Sequence, residues 1–228
     1  MTKTILLSAP YMLPTLDRFK PVFEHYGIEV IAPEVHERLS EEEILVHAGN
    51  FDGAICGDDR YTDRVQQACL PRLKVISKWG TGIDSIDKAA AARHGIQVRN
   101  TPNAFTLPVA DSVLGYMLAF ARRLPWMDVR IKSGEWEKLP GRSLSECTLG
   151  VVGLGNVGKA VVRRARPFGM RILGNDIVSI APDFTLENNV ELTSLRDLLE
   201  RENDGSIFVP PDPQLVGAVG AALNPAGQ

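Results

Sequence analysis

The apolar run in residues 149–165, LGVVGLGNVGKAVVRRA, is broken by Gly153, Gly155 and Gly158 before a segment of small apolar residues resumes. No other stretch limits the fold so tightly. A strand ending in Gly-x-Gly-x-x-Gly can turn sharply into a helix. Gly153 allows the tight turn, Gly155 removes a side chain where a pyrophosphate must approach the backbone, and Gly158 lets helix and strand pack closely. The helix N-terminus then presents N–H groups and a positive dipole end to the anion. Such glycines also mark ordinary turns that hold nothing, so context decides. Here the motif follows an apolar strand, VVGLG, and opens a helix-compatible segment. A second strand, RILGND, ends in Asp176, 18 residues after Gly158. A carboxylate at that place accepts hydrogen bonds from the adenosine ribose hydroxyls. Asp176 favours NAD over NADP, because it repels a ribose 2′-phosphate and no Arg or Lys follows in IVSIAPD. Without the glycines, Asp176 would read only as the end of a strand.

Ahead of this motif the chain alternates two kinds of segment. Short β-type runs are TILLS (4–8), EVIA (29–32), GAIC (53–56), KVISK (74–78) and QVR (97–99). Helical stretches at 15–26, 40–48, 62–69 and 84–94 separate them. Ser40 and Glu43 have capping-box spacing, and Gly27, Gly49 and Gly95 sit where helices should stop. This alternation predicts a parallel sheet covered by helices on both faces. A longer helix is expected over 103–124, with Thr106 as cap, Pro108 in its first turn and Pro125 at its end. A polar connection, IKSGEWEKLPGRSLSE, follows. The pattern then restarts with strand TLGVVGLG, helix 156–167, strand RILGND, a loop through Pro182 and helix 194–202 after a Ser194–Asp197 cap. The restart divides the chain into units at 1–101 and 102–204, with a Gly/Pro/Ala-rich tail at 205–228.

A second glycine turn lies in SKWGTGIDSID, residues 77–87. Strand KVISK runs into Gly80, Thr81 and Gly82 and then a helix. Successive backbone N–H groups there can form an anion-binding nest suited to a small carboxylate. A glycine-rich β–α turn without a ligand fits the residues equally well.

Composition removes several classes of partner. The net charge of −3 and pI near 5.8 give no general affinity for nucleic acid or anionic membrane. The most apolar helix candidate, near 112–121, is too short to span a bilayer, and MTKTILLSAP is no signal peptide. Cys56, Cys69 and Cys147 fit no zinc spacing, so no metal is expected, and they read as reduced thiols of a cytoplasmic protein.

Three segments together resemble the D-isomer-specific 2-hydroxyacid dehydrogenases, of the phosphoglycerate dehydrogenase and glyoxylate reductase type. They are KVISKWGTGIDSIDKAAAARHGIQVRNTP, the helix VADSVLGYMLAFAR, and LGVVGLGNVGKAVVRRARPFGMRILGND, with ELTSLRDLLE at 191–200 matching a further helix. The resemblance implies an α/β chain: a flavodoxin-like substrate domain, then a Rossmann domain, with the long helix crossing between them; the length left after Cys147 has room for little more than half of such a domain, so it is expected to be partial. It implies NAD as cofactor and a small 2-hydroxy or 2-keto acid as substrate. Gly80, Thr81 and Gly82 would supply amides to the substrate carboxylate. Asn156 and Val157 would contact the pyrophosphate beside Gly153, Gly155 and Gly158, and Asp176 would hold the ribose. Family members commonly dimerise through the Rossmann domain and its long helix, which makes a homodimer the expected assembly. Position alone marks Tyr11 and Met12, after the first strand, as facing the substrate cleft.

Hydride transfer from a 2-hydroxy acid also needs a base for the hydroxyl proton and a cation at the carboxylate and carbonyl oxygen. The family uses a His oriented by a Glu, and an Arg in an Asn-x-Ala-Arg-Gly stretch. No such stretch occurs in this sequence, and no His follows a late Thr-Pro. The histidines are His25, His36, His47 and His94, all in the first unit. No catalytic residue is therefore assigned, and the expectation is a chain truncated or frame-shifted near residue 203 and inactive by itself, with a natural short form whose tail makes a partial third or fourth strand as the alternative. Two other readings stay open: a non-catalytic NAD-binding or dimerising regulatory module, and an enzyme completed by residues of another chain.

Overall fold

A computed structural model describes residues 2–201; the tail at 205–228 lies outside the described residues. The chain divides into two compact units between Phe105 and Thr106.

The first unit alternates strand and helix: β1 (Lys3–Leu7), α1 (Lys20–His25), β2 (Ile28–Ile31), α2 (Glu41–Val46), β3 (Gly53–Cys56), α3 (Asp63–Ala68), β4 (Val75–Lys78), α4 (Lys88–His94) and β5 (Gln97–Arg99). All pairings are parallel and the order is β2-β1-β3-β4-β5, with Ile5 opposite both Val30 and Gly53. This is the flavodoxin-like order, whose switch point falls between β1 and β3. Neighbouring β1 residues face opposite sides, so Leu6 enters one core with Ile44, Phe51, Leu73 and Ile76. Leu7 enters another with Met12 and Phe23. Ser40 and Glu43 form the capping box expected of them, and Gly95 closes α4 with φ of +68°.

Three local expectations differ. The helix expected over 15–26 is a 3₁₀ segment (Leu13–Arg18) followed by α1, because Thr15 leaves helical geometry and Pro21 lies in the first turn of a new helix. The helix expected from residue 84 starts only at Lys88, capped by Asp87, whose carboxylate accepts from the Ala90 N–H. The intervening residues run alongside Tyr61 through a bridge to Ile86. Met12 is buried against the Leu7 core, which removes it from any cleft, whereas Tyr11 is 82% exposed.

The second unit opens with α5 (Thr106–Ala121) and α6 (Leu124–Lys132), followed by β6 (Thr148–Val152), α7 (Asn156–Ala165), β7 (Arg171–Asn175), α8 (Pro182–Asn188), β8 (Val190–Leu192) and α9 (Leu195–Arg201). Among the described residues its sheet is parallel in the order β6-β7-β8, one half of a Rossmann sheet. Ala110, Leu114, Met117 and Ala121 of α5 pack with Leu149, Val151, Val161, Val162 and Ile172 in its core. Arg164 Nε also donates to Asp111 Oδ1 at 2.5 Å, tying α7 to α5.

Pro125 does not end the ordered structure. Arg123 turns the chain with φ of +58°, and Pro125 then sits in the first turn of α6. The segment through Pro182 is likewise α8, with Pro182 and Asp183 in its first turn, followed by the short strand β8. Both proline positions are compatible with helix starts as well as stops, and only packing decides between them.

Candidate nucleotide and carboxylate turns

In the second unit, β6 delivers the chain into Gly153, which has φ of +89°, a conformation that favours glycine. Its N–H donates to Asn175 O at 2.8 Å. A Cβ at Gly158 would lie 2.0 Å from Gly153 O, so α7 can approach β6 only with glycine there. Gly155 differs in kind. A Cβ there would meet nothing within 4 Å, so its missing side chain serves no internal packing and leaves open space over the turn. No side chain caps α7, which begins at Asn156 and Val157. Open space in front of an uncapped helix start is what a pyrophosphate requires.

Asp176 follows β7, and its carboxylate is fastened to the same turn. Oδ2 accepts from Leu154 N–H at 2.5 Å and Oδ1 from Val178 N–H at 3.1 Å. The Val178 and Leu154 amides hold its pKa below the usual carboxylate value, so the group is ionised at neutral pH. An ionised carboxylate has about four acceptor positions, which leaves capacity for two ribose hydroxyls. These residues fit a dinucleotide.

In the first unit, Gly80, Thr81 and Gly82 follow β4. The turn is held from one side: Thr101 N–H donates to Gly80 O at 2.9 Å, and Asn100 Nδ2 donates to Thr81 O at 2.7 Å. Thr81 Oγ1 donates to Thr101 O at 3.1 Å. In a trans peptide the C=O and the following N–H point in opposite directions. Fixing the Gly80 and Thr81 carbonyls toward residues 100–101 therefore turns the Thr81 and Gly82 N–H groups away from them. Both residues are exposed, and a Cβ at Gly82 would meet nothing within 4 Å.

Sequence reasoning missed the charged residues around this edge. Lys78, 5% exposed, lies beneath the turn, its Cε 3.2 Å from where a Gly80 Cβ would stand, and its Nζ pairs with Asp58. Asp59 is fully buried and accepts from Ser8 Oγ (2.6 Å), Leu39 N–H (2.5 Å) and Gly57 N–H (3.2 Å). Burial pushes its pKa up against those three donors. Asp59 thereby knits the ends of β1 and β3 to the segment that leads into α2. The only advance signal was GDD at 57–59, polar residues directly after an apolar strand.

Of the four histidines, His36 is exposed in the connection between β2 and α2, and the other three lie elsewhere. His25, His47 and His94 stand at the C-terminal ends of α1, α2 and α4. In a parallel α/β unit those ends lie at the edge where strands begin, opposite the Gly80 turn. His94 Nε2 is 2.9 Å from Asp63 Oδ1. Among the described residues no group of His, Cys, Asp and Glu could hold a metal ion, and no helix is long and apolar enough to cross a membrane.

Residues 114–223 match the model of the D-isomer specific 2-hydroxyacid dehydrogenase, NAD binding domain. The chain is 36% identical over 195 residues to D-3-phosphoglycerate dehydrogenase of Methanocaldococcus jannaschii, covering 84% of this chain and 37% of that protein. It is 34% identical over 201 residues to glyoxylate reductase of Thermococcus onnurineus, covering 84% and 59%. It thus spans roughly a third to three-fifths of the curated relatives it matches. Among solved structures, the TT0316 protein of Thermus thermophilus matches with a TM-score of 0.72 and 29% identity, over 92% of this chain and 66% of that one. D-lactate dehydrogenase of Aquifex aeolicus, solved with NAD and lactic acid, shares the fold at a TM-score of 0.73 and 24% identity, over 86% and 57%. Two glycine turns after parallel strands, an anchored Asp176 and these matches agree: the chain belongs to the D-isomer-specific 2-hydroxyacid dehydrogenase family and carries its NAD-binding domain.

Proposed function

We propose that this chain holds NAD(H) and the carboxylate of a small 2-hydroxy or 2-keto acid, for hydride transfer between them. The observation that carries the reading is the open space over Gly155, in front of a helix that no side chain caps. Amides of the α7 start, at Asn156 and Val157, would hold the pyrophosphate, with Gly153 and Gly158 shaping the turn. Asp176 would hold the ribose and exclude a 2′-phosphate. The nicotinamide supplies or accepts the hydride. The N–H groups of Thr81 and Gly82, in the turn opened by Gly80, would orient the acid by its carboxylate.

In this reading no residue of the chain is assigned to the proton transfer. His25, His47 and His94 stand at the far edge of the first sheet, His36 is exposed beside Glu34 in the connection after β2, and no Asn-x-Ala-Arg-Gly stretch is present. General acid–base help is worth about 10²–10⁴ in rate, and a positioned donor at the developing oxyanion about 10²–10³ more. The 228-residue chain by itself should therefore bind NADH and show no turnover on glyoxylate, hydroxypyruvate or 3-phosphoglycerate. A rate of about 1 s⁻¹, within the ordinary enzyme range, would overturn that.

Cofactor choice is tested by titrating NADH and NADPH separately, following nucleotide fluorescence. NADH should bind more tightly, and Asp176→Ala should weaken it and narrow the preference. Because Asp176 titrates below the usual carboxylate value, NADH binding should be flat from about pH 5 to 8 and fall only in stronger acid. Equal affinity for both cofactors in the unmodified chain would remove the assignment.

A homodimer and a cytoplasmic location complete the reading. Tyr116, Phe120, Val129 and Ile131 on α5 and α6 are each more than half exposed, an apolar surface suited to a second copy. Light scattering of Phe120→Asp tests it: the variant should be lighter than the unmodified chain. Cys56, Cys69 and Cys147 are buried, and burial pushes the Cys56 and Cys69 thiols up to about 12 and about 11, as suits a reducing compartment.

A further inference from the structure

A cleft of about 350 Å³ in the first unit is lined by Arg38, Leu39, Ser40, Glu41, Glu42, Arg60 and Arg64. None of these lining residues is among those assigned above to the cofactor or to the carboxylate. Among the described residues, Arg38 and Arg60 make no ion pair or side-chain hydrogen bond, although each is exposed and adjoins a buried anchor. That anchor is the bond from Leu39 N–H to Asp59 Oδ1. Arg38 precedes Leu39 in sequence and Arg60 follows Asp59. One buried bond therefore brings two distant chain segments together, and the flanking guanidinium groups line a single cleft.

The remaining lining charges are already matched. Arg64 Nη1 lies 2.9 Å from Glu42 Oε1 and 3.6 Å from Glu41 Oε2, and Glu41 also accepts from Thr62 Oγ1 at 3.0 Å. Ser40 Oγ is engaged with Glu43. With Glu43 against Ser40, three carboxylates stand beside the three arginines, and among the described residues Arg38 and Arg60 are the two lining cations that none of those carboxylates engages.

Two planar forks facing one space suit a dianion with several acceptor oxygens, and phosphoryl groups match that geometry better than a single carboxylate. We propose that this cleft binds a phosphoryl dianion through Arg38 and Arg60, independently of the nucleotide and carboxylate turns.

The test is calorimetric titration of the 228-residue protein at constant ionic strength with inorganic phosphate and, separately, glycerol 3-phosphate. Saturable binding near the millimolar range is expected for one or both. Tighter phosphate assigns the site to the free ion, and tighter glycerol 3-phosphate to a phosphate ester. Arg38→Ala and Arg60→Ala should each weaken binding about tenfold. Glu42→Gln should tighten it, because it removes a negative charge and releases Arg64. Arg99→Ala, whose guanidinium bonds Gln97 and the Val98 carbonyl, should change nothing. Melting curves of each variant show that the fold is intact, and NADH binding measured in parallel reports on the Gly153 turn alone. Absence of saturable binding by either probe would overturn the proposal. So would equal weakening by Arg99→Ala, which would reduce the effect to general charge.

Discussion

Gly80–Gly82 and Gly153–Gly158 both end a parallel strand, and in sequence they share one logic. In the structure they differ in what the glycines do. At the second turn the helix begins at once, at Asn156, so the open amides belong to an uncapped helix and carry its dipole. At the first turn the next helix begins only at Lys88 and is capped by Asp87. There the amides are aimed by Asn100 and Thr101, which hold the neighbouring carbonyls from behind. A helix start gives a stronger anion site than a braced loop, and suits a pyrophosphate. The braced loop suits a small carboxylate that must be oriented. Similar glycine patterns therefore do not imply similar electrostatics; the residue at which the helix starts decides.

Substitutions can break this contrast. The largest effect belongs to Gly158→Ala. Its Cβ would strike Gly153 O, a backbone atom, and α7 must move away from β6. A loss of about 4 kcal/mol or more is expected, at the severe end for a single change, measured by urea unfolding. A loss under about 1 kcal/mol would mean that α7 is less tightly seated than described.

Asp59→Ala comes next. It leaves Ser8 Oγ and the Leu39 and Gly57 amides without their buried acceptor, and should cost about 3 kcal/mol. The pH dependence has a definite sign. Burial raises the folded-state pKa of Asp59 above its unfolded value, so the folded state holds the proton longer. Its contribution to stability is full below the unfolded carboxylate value, about 3.9, and declines as pH rises through the higher folded value. Unfolding of the unmodified chain and Asp59→Asn across that window should show the trend only in the former.

Gly155→Ala separates folding from binding. Its Cβ meets nothing, so the melting temperature should hardly change, while NADH affinity should fall about tenfold or more through contact with the pyrophosphate. Unchanged NADH affinity would end the assignment of that space. Asn100→Ala is the mildest change. Loss of the 2.7 Å bond to Thr81 O should cost about 1 kcal/mol, and should weaken binding of a 2-keto acid without affecting NADH.

Much of the nucleotide turn was legible in the sequence because each glycine there answers a short-range demand. The positive φ of Gly153, the close approach at Gly158 and the strand ending at Asp176 all follow from local spacing. The five strands of the first unit were legible for the same reason: short apolar runs between glycine stops can be little else. Prolines were ambiguous. Pro125 and Pro182 read as breaks, yet both stand in first turns of helices, because a proline there forfeits only an N–H that has no partner. Three features were decided by tertiary structure alone. The bridge between Tyr61 and Ile86 delays α4. The residue pair 100–101 reaches back to aim the Gly80 turn. Leu39 meets Asp59, bringing Arg38 and Arg60 into one cleft. Each joins residues about twenty apart or more, where spacing along the chain carries no information and only the order of the strands brings the partners together.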